Sequence, residues 1–366
     1  MLIALKKPIW VFVCFFVVML GLLACTKQDE KQTIPVLQPE FLRAVDISAF
    51  PEIMLANPVF YNASGNEQDF LEILRESGVN AVRIKLWVDP ASQHASFGEV
   101  KSFSETLRSS GFKIWITVHY SDTWADPGNQ EIPARWAGLT FETLKDSVAT
   151  YTEKVVRQIQ PDYIQIGNEI NPGLLLPLGS ISQNLQQFQA LLQTGVDAVR
   201  RTNENTQIVI HYAGFEHAEW FFEQTKSIDY DIIGLSYYPL WHGKSLGKLK
   251  QKMQYLTTTY DKEIVIAETA YPFTLGWNDW TNNIVGLPEQ LILPDFPASE
   301  IGQRNYLQEI KSITQGIDGG IGFCYWGAEL IAWKGPKATN ASPWENQAVF
   351  DFNNRALPVL EVFEEE

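Results

Sequence analysis

Short apolar segments recur along this chain from about residue 41 onwards, and polar or aromatic residues follow each of them. Runs of roughly four to eight apolar, β-branched residues are typical of strands that are buried on both faces. We therefore predict eight strands, separated by longer stretches of mixed polarity. The predicted strands are residues 44–47, 81–86, 113–119, 163–167, 207–212, 231–236, 263–267 and 320–326.

The stretches between these strands show helical periodicity. Residues 70–77 and 143–159 are two predicted helices, and Leu144 and Val148 fall on one face of the second. Eight β/α repeats without a break in composition predict one (β/α)8 TIM barrel, a single catalytic domain over residues 41–366. The alternative is an open doubly wound sheet, which usually carries a glycine-rich turn after its first strand. Asp46-Ile47-Ser48 is not such a turn.

The polar residues concentrate at the carboxyl ends of the predicted strands. Active sites of (β/α)8 barrels are built at this end, so we predict a substrate site there. For Asp46, a substrate contact and a structural hydrogen bond both remain open. The candidate residues are Asp46, Arg83, Trp87, His119, Trp124, Asn168, Glu169, His211, Tyr237, Tyr238, Glu268 and Trp326.

Two of these candidates are glutamates that come directly after buried strands. Glu169 follows Asn168, and Glu268 follows the strand 263–267. Cleavage of a glycosidic bond requires one carboxyl group to protonate the leaving oxygen and another to attack or to activate water. Either glutamate could instead pair structurally with a cation, but the presence of two favours catalysis. We expect Arg83 to lie near Glu268, because a cation there would lower the pKa of that carboxyl group.

Longer segments around these residues closely resemble glycoside hydrolase family 53, the endo-β-1,4-galactanases. The resemblance extends over roughly residues 45–358, nearly the whole predicted domain. Its motifs are more specific than an Asn-Glu pair, which marks only the wider group of barrel glycosidases. The motifs are residues 78–83, 87–90, 119–128, 165–171, 233–239, 267–272 and 344–351.

The resemblance implies a (β/α)8 barrel and a retaining endo-hydrolase that acts on β-1,4-galactan or arabinogalactan side chains of pectin. It implies that Glu169 is the general acid/base and that Glu268 is the nucleophile. It also implies that Asn168 contacts the sugar 2-hydroxyl and that Arg83 and Tyr237 support the nucleophile. No cofactor is required by this chemistry.

Three segments depart from the family pattern. Lys85 stands where a second arginine is common. Leu174-Leu175-Leu176 lacks a tryptophan often found after the acid/base, and Tyr325-Trp326-Gly327-Ala328 differs from a Trp-Glu-Pro pattern. Both glutamates are intact, so these departures affect only how sugar units are bound and how long the products are.

Charge and histidine content limit the possible partners. The formal net charge is −15 and no basic block occurs, which argues against nucleic acid, because phosphate binding needs clustered Lys and Arg. His119, His211 and His242 invite a metal, but no His-Glu-x-x-His motif is present, and we predict no catalytic metal. A structural calcium in a loop remains possible, although no Asp-rich ligand run indicates it.

Several tryptophans lie in predicted loops or at strand ends, where they could belong to the core or to the site. Barrel interiors favour Val, Ile and Leu, whereas an indole ring packs well on the C–H face of a pyranose. We predict that about half of them line the cleft, with Trp326 the strongest candidate. These tryptophans are Trp87, Trp124, Trp241, Trp277, Trp280, Trp326 and Trp333.

The first residues are predicted to be a targeting segment. Two lysines precede an apolar run at residues 9–23, and Leu22-Leu23-Ala24-Cys25 resembles the lipobox of bacterial lipoproteins. We predict a signal peptide over residues 1–24, lipid on Cys25 and a flexible tether over residues 25–40. The alternative is an uncleaved anchor, but the run is shorter than the roughly 20 residues of a spanning helix.

A lipid on Cys25 would place the protein in a bacterial cell envelope, at the outer membrane or the cell surface. Cys14 would leave with the signal, so Cys324 would have no disulfide partner. We expect a monomer.

Two other functions remain open. The protein could be a surface lipoprotein that holds a glycan without cutting it, although intact glutamates argue against this. It could also be a barrel glycosidase acting on β-mannan or β-glucan, because galactose differs from glucose only at the C4 hydroxyl.

Overall fold

The computed structural model describes residues 40–365, so the predicted signal peptide, Cys25 and nearly all of the tether lie outside it. Eight parallel strands close into a barrel in sequence order, and β8 pairs with β1. This confirms the predicted (β/α)8 barrel and excludes the open sheet. The strands are β1 (Leu42–Asp46), β2 (Ala81–Leu86), β3 (Lys113–Val118), β4 (Tyr163–Ile166), β5 (Gln207–Ala213), β6 (Ile232–Ser236), β7 (Glu263–Thr269) and β8 (Gly320–Trp326).

Helices pack around the barrel between the strands. They are α1 (Phe50–Ile53), α2 (Phe70–Glu76), α3 (Phe97–Ser109), α4 (Phe141–Ile159), α5 (Leu185–Thr202), α6 (Ala218–Thr225), α7 (Pro239–His242), α8 (Leu246–Tyr260) and α9 (Glu300–Gln315). Helix α4 begins two residues earlier than predicted, because the Thr140 side chain caps it by accepting a hydrogen bond from the Thr143 amide. Within residues 40–365, no helix combines the length and apolarity that crossing a membrane requires.

Short 3-10 turns complete the regular structure. They are Met54–Ala56, Ala134–Trp136, Pro288–Gln290, Glu345–Gln347 and Pro358–Phe363.

The inside of the barrel is apolar at its amino end and polar at its carboxyl end. Side chains two residues apart on a strand point to the same face. Arg83 follows Ala81 at this spacing on β2, and His211 follows Val209 on β5. Each strand thus passes from a packed layer into the polar site above it. The packed layer consists of Leu42, Ala44, Ala81, Trp115, Val209, Ile232, Val265, Ala267 and Cys324.

Two long loops, residues 270–299 after β7 and 327–357 after β8, are held together above the barrel. The Asn346 side-chain amide donates to the carbonyl oxygens of Thr274 (2.9 Å) and Val285 (2.7 Å). From β8, the buried Tyr325 hydroxyl donates to the Gln347 carbonyl at 2.7 Å. These bonds tie the loop that carries Trp344 to the barrel, so this side of the carboxyl end is a fixed wall.

Candidate active site

An open cleft of about 380 Å³ lies at the carboxyl end of the barrel. Both glutamates predicted as catalytic reach it, together with Asn168 and Tyr238. Because its walls are mostly aromatic and its floor is polar, the cleft suits a ligand with apolar faces and polar edges, such as a sugar chain. The lining residues are Trp124, Ala125, Asp126, Pro127, Asn168, Glu169, Ala213, Tyr238, Trp241, His242, Glu268, Trp326 and Trp344.

The two carboxyl groups approach each other closely across the cleft floor. A carboxylate oxygen of Glu169 and one of Glu268 lie within 4.8 Å. Glu169 follows β4 on a turn with a positive φ of 47°, a conformation that costs energy for a residue with a side chain. Its neighbour Gly167 also has a positive φ, 81°. This turn directs the Glu169 side chain back over the barrel mouth instead of continuing the strand.

Glu268 reaches the site through an irregularity in β7. Ala267 belongs to the packed layer inside the barrel, so strict alternation would turn Glu268 outwards. The register of β7 shifts against both neighbours, and Ser236 pairs with Glu268 instead of Ala267. Such bulges commonly redirect a side chain next to an active site. Two consecutive residues of β7 therefore face the barrel interior.

Arg83 lies beneath the two glutamates and is almost completely buried, with 1% of its surface exposed. Its guanidinium group bonds to the carboxylates of Asp46 (2.6 Å) and Glu268 (2.8 Å) and to the side-chain oxygen of Asn168 (2.8 Å). This confirms the expected position of Arg83 beside Glu268. The cation lies 5.7 Å from the centre of the Trp115 ring, at the top of the packed layer.

The two glutamates experience different electrostatic surroundings. Burial, followed by the neighbouring Glu268 carboxylate, raises the pKa of Glu169 to about 8. Burial also raises the pKa of Glu268, but the Arg83 cation and the Tyr238 hydroxyl, which donates to its Oε2 at 3.0 Å, act in the opposite direction. Glu169 is thus the group that holds a proton near neutral pH, and Glu268 is the one that can ionise.

Several predicted substrate contacts lie below the cleft surface instead. Both Asp46 oxygens are already bonded, one to Arg83 and the other to the Ser48 hydroxyl (2.6 Å) and amide (3.1 Å). His119 accepts a hydrogen bond from the Ala125 amide (3.0 Å) and is buried under the loop that carries Trp124. For Asp46, the structure favours the structural hydrogen bond that the sequence left open.

The predicted role of Tyr237 at the nucleophile is wrong. Its buried hydroxyl donates to the Gly243 carbonyl at 2.9 Å, and only its backbone amide bonds to Glu268. Tyr238 holds the Glu268 carboxylate instead. The inward-facing series of β6 includes Gly234 and Ser236, so alternation places Tyr238 inside and Tyr237 outside. That spacing was visible in the sequence.

Trp87 and Lys85 lie under the aromatic wall and do not line the cleft. The Lys85 ammonium, where an arginine was expected, is 4.0 Å from the centre of the Trp124 ring and 5.2 Å from that of Trp87. Burial lowers the pKa of Lys85 to about 8. A cation under an indole ring attracts its π electrons, so Lys85 supports Trp124 from below.

Four tryptophans form a continuous wall along the cleft. Ring centres are 6.0 Å apart between Trp124 and Trp326, 4.6 Å between Trp326 and Trp344, and 6.1 Å between Trp344 and Trp241. Trp344 was not among the predicted site residues, although it begins one of the family-like motifs. Trp277, Trp280 and Trp333 do not line this cleft.

Gln165 and Ser236 were also missed as functional candidates. Gln165 is fully buried and contacts Arg83, and Ser236 is fully buried and contacts Glu169. A polar residue inside an otherwise apolar strand, as in the segment 163–166, was the signal that could have revealed Gln165.

One group of side chains has the spacing of metal ligands, namely Glu169, His211 and Glu268. Its chemistry does not suit a metal ion. Both ring nitrogens of His211 lie within hydrogen-bonding distance of other side chains, and the Arg83 cation occupies one oxygen of Glu268. Neighbouring side chains, and not a metal ion, are thus the partners of these groups.

Comparison with known proteins agrees with this geometry. The sequence profile of glycosyl hydrolase family 53 matches residues 42–363. An arabinogalactan endo-beta-1,4-galactanase of Cellvibrio japonicus is 35% identical over 83% of this chain and 85% of its own length. Arabinogalactan endo-beta-1,4-galactanase A of Aspergillus niger is 30% identical over 91% of this chain and 97% of its own. The Ignisphaera aggregans GH53 catalytic domain superposes with a TM-score of 0.84 at 36% identity, covering 90% of this chain and 97% of that domain.

Replacement of Glu169 by glutamine should make stability less sensitive to a rise in pH from about 5 to about 8. A carboxyl group whose pKa is raised on folding contributes stability at low pH and loses it as the pH rises through about 8. The glutamine side chain cannot ionise, and Glu169 is partly exposed, so the variant should gain roughly 1–3 kcal/mol over wild type between about pH 5 and about pH 9. Urea unfolding at both pH values measures the gain.

Glu309→Gln, at an exposed position on α9, is the matched control and should show no such gain. An equal response of Glu169→Gln and Glu309→Gln to pH would contradict the raised pKa.

Proposed function

The chain belongs to glycosyl hydrolase family 53 and is a glycoside hydrolase, and we propose that it cleaves β-1,4-galactosidic bonds within galactan or arabinogalactan with retention of configuration. The observation that carries the mechanism is the approach of two carboxylate oxygens within 4.8 Å at the floor of an aromatic cleft. Retaining enzymes place their carboxyl groups about 5–5.5 Å apart, whereas inverting enzymes leave about 6.5–9.5 Å for a water molecule.

In the first step Glu268 attacks the anomeric carbon. The bond from that carbon to the leaving oxygen breaks, and Glu169 gives its proton to this oxygen. Because the pKa of Glu169 is raised to about 8, its carboxyl group still carries this proton near neutral pH. Arg83 and Tyr238 stabilise the ionised form of Glu268. The products are a galactosyl ester on Glu268 and the shortened chain.

In the second step Glu169, now a carboxylate, removes a proton from water. The resulting hydroxide equivalent attacks the anomeric carbon from the face that the leaving group vacated, and the ester bond to Glu268 breaks. The sugar leaves with its original β configuration, Glu169 is protonated and Glu268 is a carboxylate again. No metal or redox group takes part in either step.

The aromatic wall supports a polymeric substrate. Four indole rings follow one another along the cleft that holds both glutamates, so successive sugar units can pack on successive rings. The relatives from Cellvibrio japonicus and Aspergillus niger are named as endo-acting galactanases, which favours internal cleavage of galactan. A β-mannan or β-glucan remains the alternative substrate, and a glycan-binding protein without activity the alternative function.

The substrate can be tested directly with purified enzyme. We expect soluble oligosaccharides from potato or lupin galactan and none from mannan or carboxymethylcellulose, because the site is that of the galactanase family. Release of mixed-length products early in the reaction, measured by chromatography of reducing sugars, would indicate internal cleavage. Faster hydrolysis of mannan than of galactan would contradict the proposed specificity.

The two glutamates should differ in the products that azide forms from an aryl β-galactoside with a good leaving group. Glu268→Ala should abolish hydrolysis, and any rescue by azide should give the α-galactosyl azide, since azide then replaces the nucleophile. Glu169→Ala should lose about 10²–10⁴-fold on galactan but retain activity on the aryl substrate, and azide should give the β-galactosyl azide. NMR identifies the anomer, and exchanged outcomes would reverse the two roles.

We also propose that the barrel is attached to a bacterial membrane by lipid on Cys25, with residues 26–40 as a tether. The support is the lipobox-like segment ending in Cys25. Acyl chains on one cysteine can supply the two signals that stable anchoring needs. The anchored enzyme would face the outside and release fragments for uptake.

Replacement of Cys25 by serine should release active enzyme into the soluble fraction, because the first strand of the barrel starts only at Leu42, after the tether. Membrane fractionation of cells expressing wild type and variant, followed by galactan assay, measures the effect. Wild type in the soluble fraction, or the variant still in membranes, would refute the lipid anchor.

A structural calcium ion between the loops 270–299 and 327–357 is part of the proposal. Several buried oxygens there have no hydrogen-bond partner among the described residues: Asp279 Oδ2, Asn283 Oδ1, Glu345 Oε2 and Asn346 Oδ1. Calcium takes carboxylate and amide oxygens as ligands, and these unpaired oxygens are of that chemical type. When bound, it would compensate the buried charges of Asp279 and Glu345 and take no part in catalysis.

Calcium should therefore raise the Tm of the chelator-treated enzyme by on the order of 5 °C at saturation. Asp279→Ala, which removes one ligand, should respond much less. Equal Tm values for wild type in EGTA and in excess calcium would show that no such ion stabilises the loops.

A further inference from the structure

A chain of buried hydrogen bonds connects Arg83 to Glu169 through Gln165, His211 and Ser236. Gln165, His211 and Ser236 are all fully buried, so none of them can touch a substrate in the cleft. The mechanism described above uses only the two ends of this chain. The donors and acceptors present determine which atom donates in each of these hydrogen bonds.

The Arg83 end fixes the orientation of the Gln165 amide. Arg83 Nε and Nη2 lie 3.4 and 3.3 Å from Gln165 Oε1, and a guanidinium group can only donate. The NH₂ group of Gln165 therefore points the other way. Its two hydrogens are shared among three acceptors, the Gly167 carbonyl, the Asn168 side-chain oxygen and His211 Nδ1, each at 3.0 Å.

The Glu169 backbone amide, together with the Gln165 amide, in turn fixes the tautomer of His211. Nδ1 faces two donors, the Gln165 amide and the Glu169 backbone amide at 3.4 Å. The Asn168 oxygen at 3.1 Å is already an acceptor for Arg83 and Gln165. Burial lowers the pKa of His211 well below its usual value, so the ring is neutral. Its single proton is thus on Nε2.

The proton on His211 Nε2 directs the Ser236 hydroxyl. Nε2 lies 2.9 Å from Ser236 Oγ and donates to it. The hydroxyl hydrogen of Ser236 is then free to point at Glu169 Oε1, 2.5 Å away. Oε1 is held as an acceptor, which leaves Oε2 to exchange the proton with the sugar oxygen.

We propose that His211 and Ser236 are positioning residues. Through this chain of hydrogen bonds, in which every link donates in the direction of Glu169, they hold Glu169 Oε1 and stabilise the Glu169 carboxylate after Oε2 has given up its proton. The proposal rests on the proposed function. It also corrects the sequence-based prediction that His211 binds substrate. A donor to the carboxylate helps the first step, in which Glu169 loses a proton, and orients the same carboxylate as the base of the second.

Other charged and titratable groups also act on Glu169. Glu268 and Asp126 oppose its ionisation, and Arg83 favours it. Tyr238 and His242 line the same cleft. A test must therefore remove the Ser236 hydrogen bond and leave these groups in place, which a serine-to-alanine change does.

Ser236→Ala should shift the alkaline limb of the kcat/KM profile on galactan to higher pH by about one unit, because a hydrogen bond to a charged group is lost. The matched control is Ser104→Ala, which removes a fully buried hydroxyl on α3 that bonds only to the Val100 carbonyl, and it should show no shift. His211→Phe, which cannot donate, should shift the limb in the same direction. The double variant should shift it no further than the larger single change.

An alkaline limb of Ser236→Ala that overlays those of wild type and Ser104→Ala would overturn the proposal, as would additive shifts in the double variant. ¹⁵N NMR of His211 in wild type tests the chain without relying on activity or on the folding of a variant. Protonated Nε2 and unprotonated Nδ1 support the chain, and the opposite tautomer refutes it. Failure of wild type to cut galactan would instead reject the proposed function and leave the NMR result standing.

Discussion

The buried guanidinium group of Arg83 is the interaction on which the rest of the site depends. Removing a cation from water is costly unless its partners compensate for the loss, and here two carboxylates and two side-chain amide oxygens do so. The same contacts explain why Asp46 is buried and why Glu268 can ionise in a low-dielectric site. They also fix the amide of Gln165, and through it the hydrogen bonds that reach Glu169. One cation thus orders both glutamates, although it bonds directly to only one of them.

The asymmetry between the two glutamates follows from where the backbone places them. Glu268 enters the barrel through a bulge and lies against Arg83 and Tyr238, which both favour its charged form. Glu169 leaves its strand on a left-handed turn, and Ser236 is the side chain that donates to its carboxyl group. Two chemically identical side chains therefore have different electrostatic surroundings, which suit the proposed acid role of Glu169 and the proposed nucleophile role of Glu268. The energy stored in the turn at Glu169 is retained because the surrounding barrel is rigid.

The walls of the cleft depend on a different set of contacts. Trp124 rests on the Lys85 ammonium, and Trp344 is carried by a loop that Asn346 ties to the loop after β7. The floor with the two glutamates and the aromatic wall are consequently held by separate interactions.

The sequence alone determined the barrel, the positions of its strands to within about two residues and the place of both glutamates near the carboxyl ends of β4 and β7. Buried parallel strands must be short and apolar, and their carboxyl ends must carry the site. Local sequence patterns therefore indicate these features. Tertiary structure decided what local patterns could not. A register shift in β7 directs Glu268 inwards beside Ala267. Long-range hydrogen bonds hold Asp46 and His211 below the surface of the cleft. The direction of a side chain at a strand end depends on one or two backbone angles and on partners far away in sequence. For that reason only the folded structure shows that Trp344 and Ser236 belong to the site.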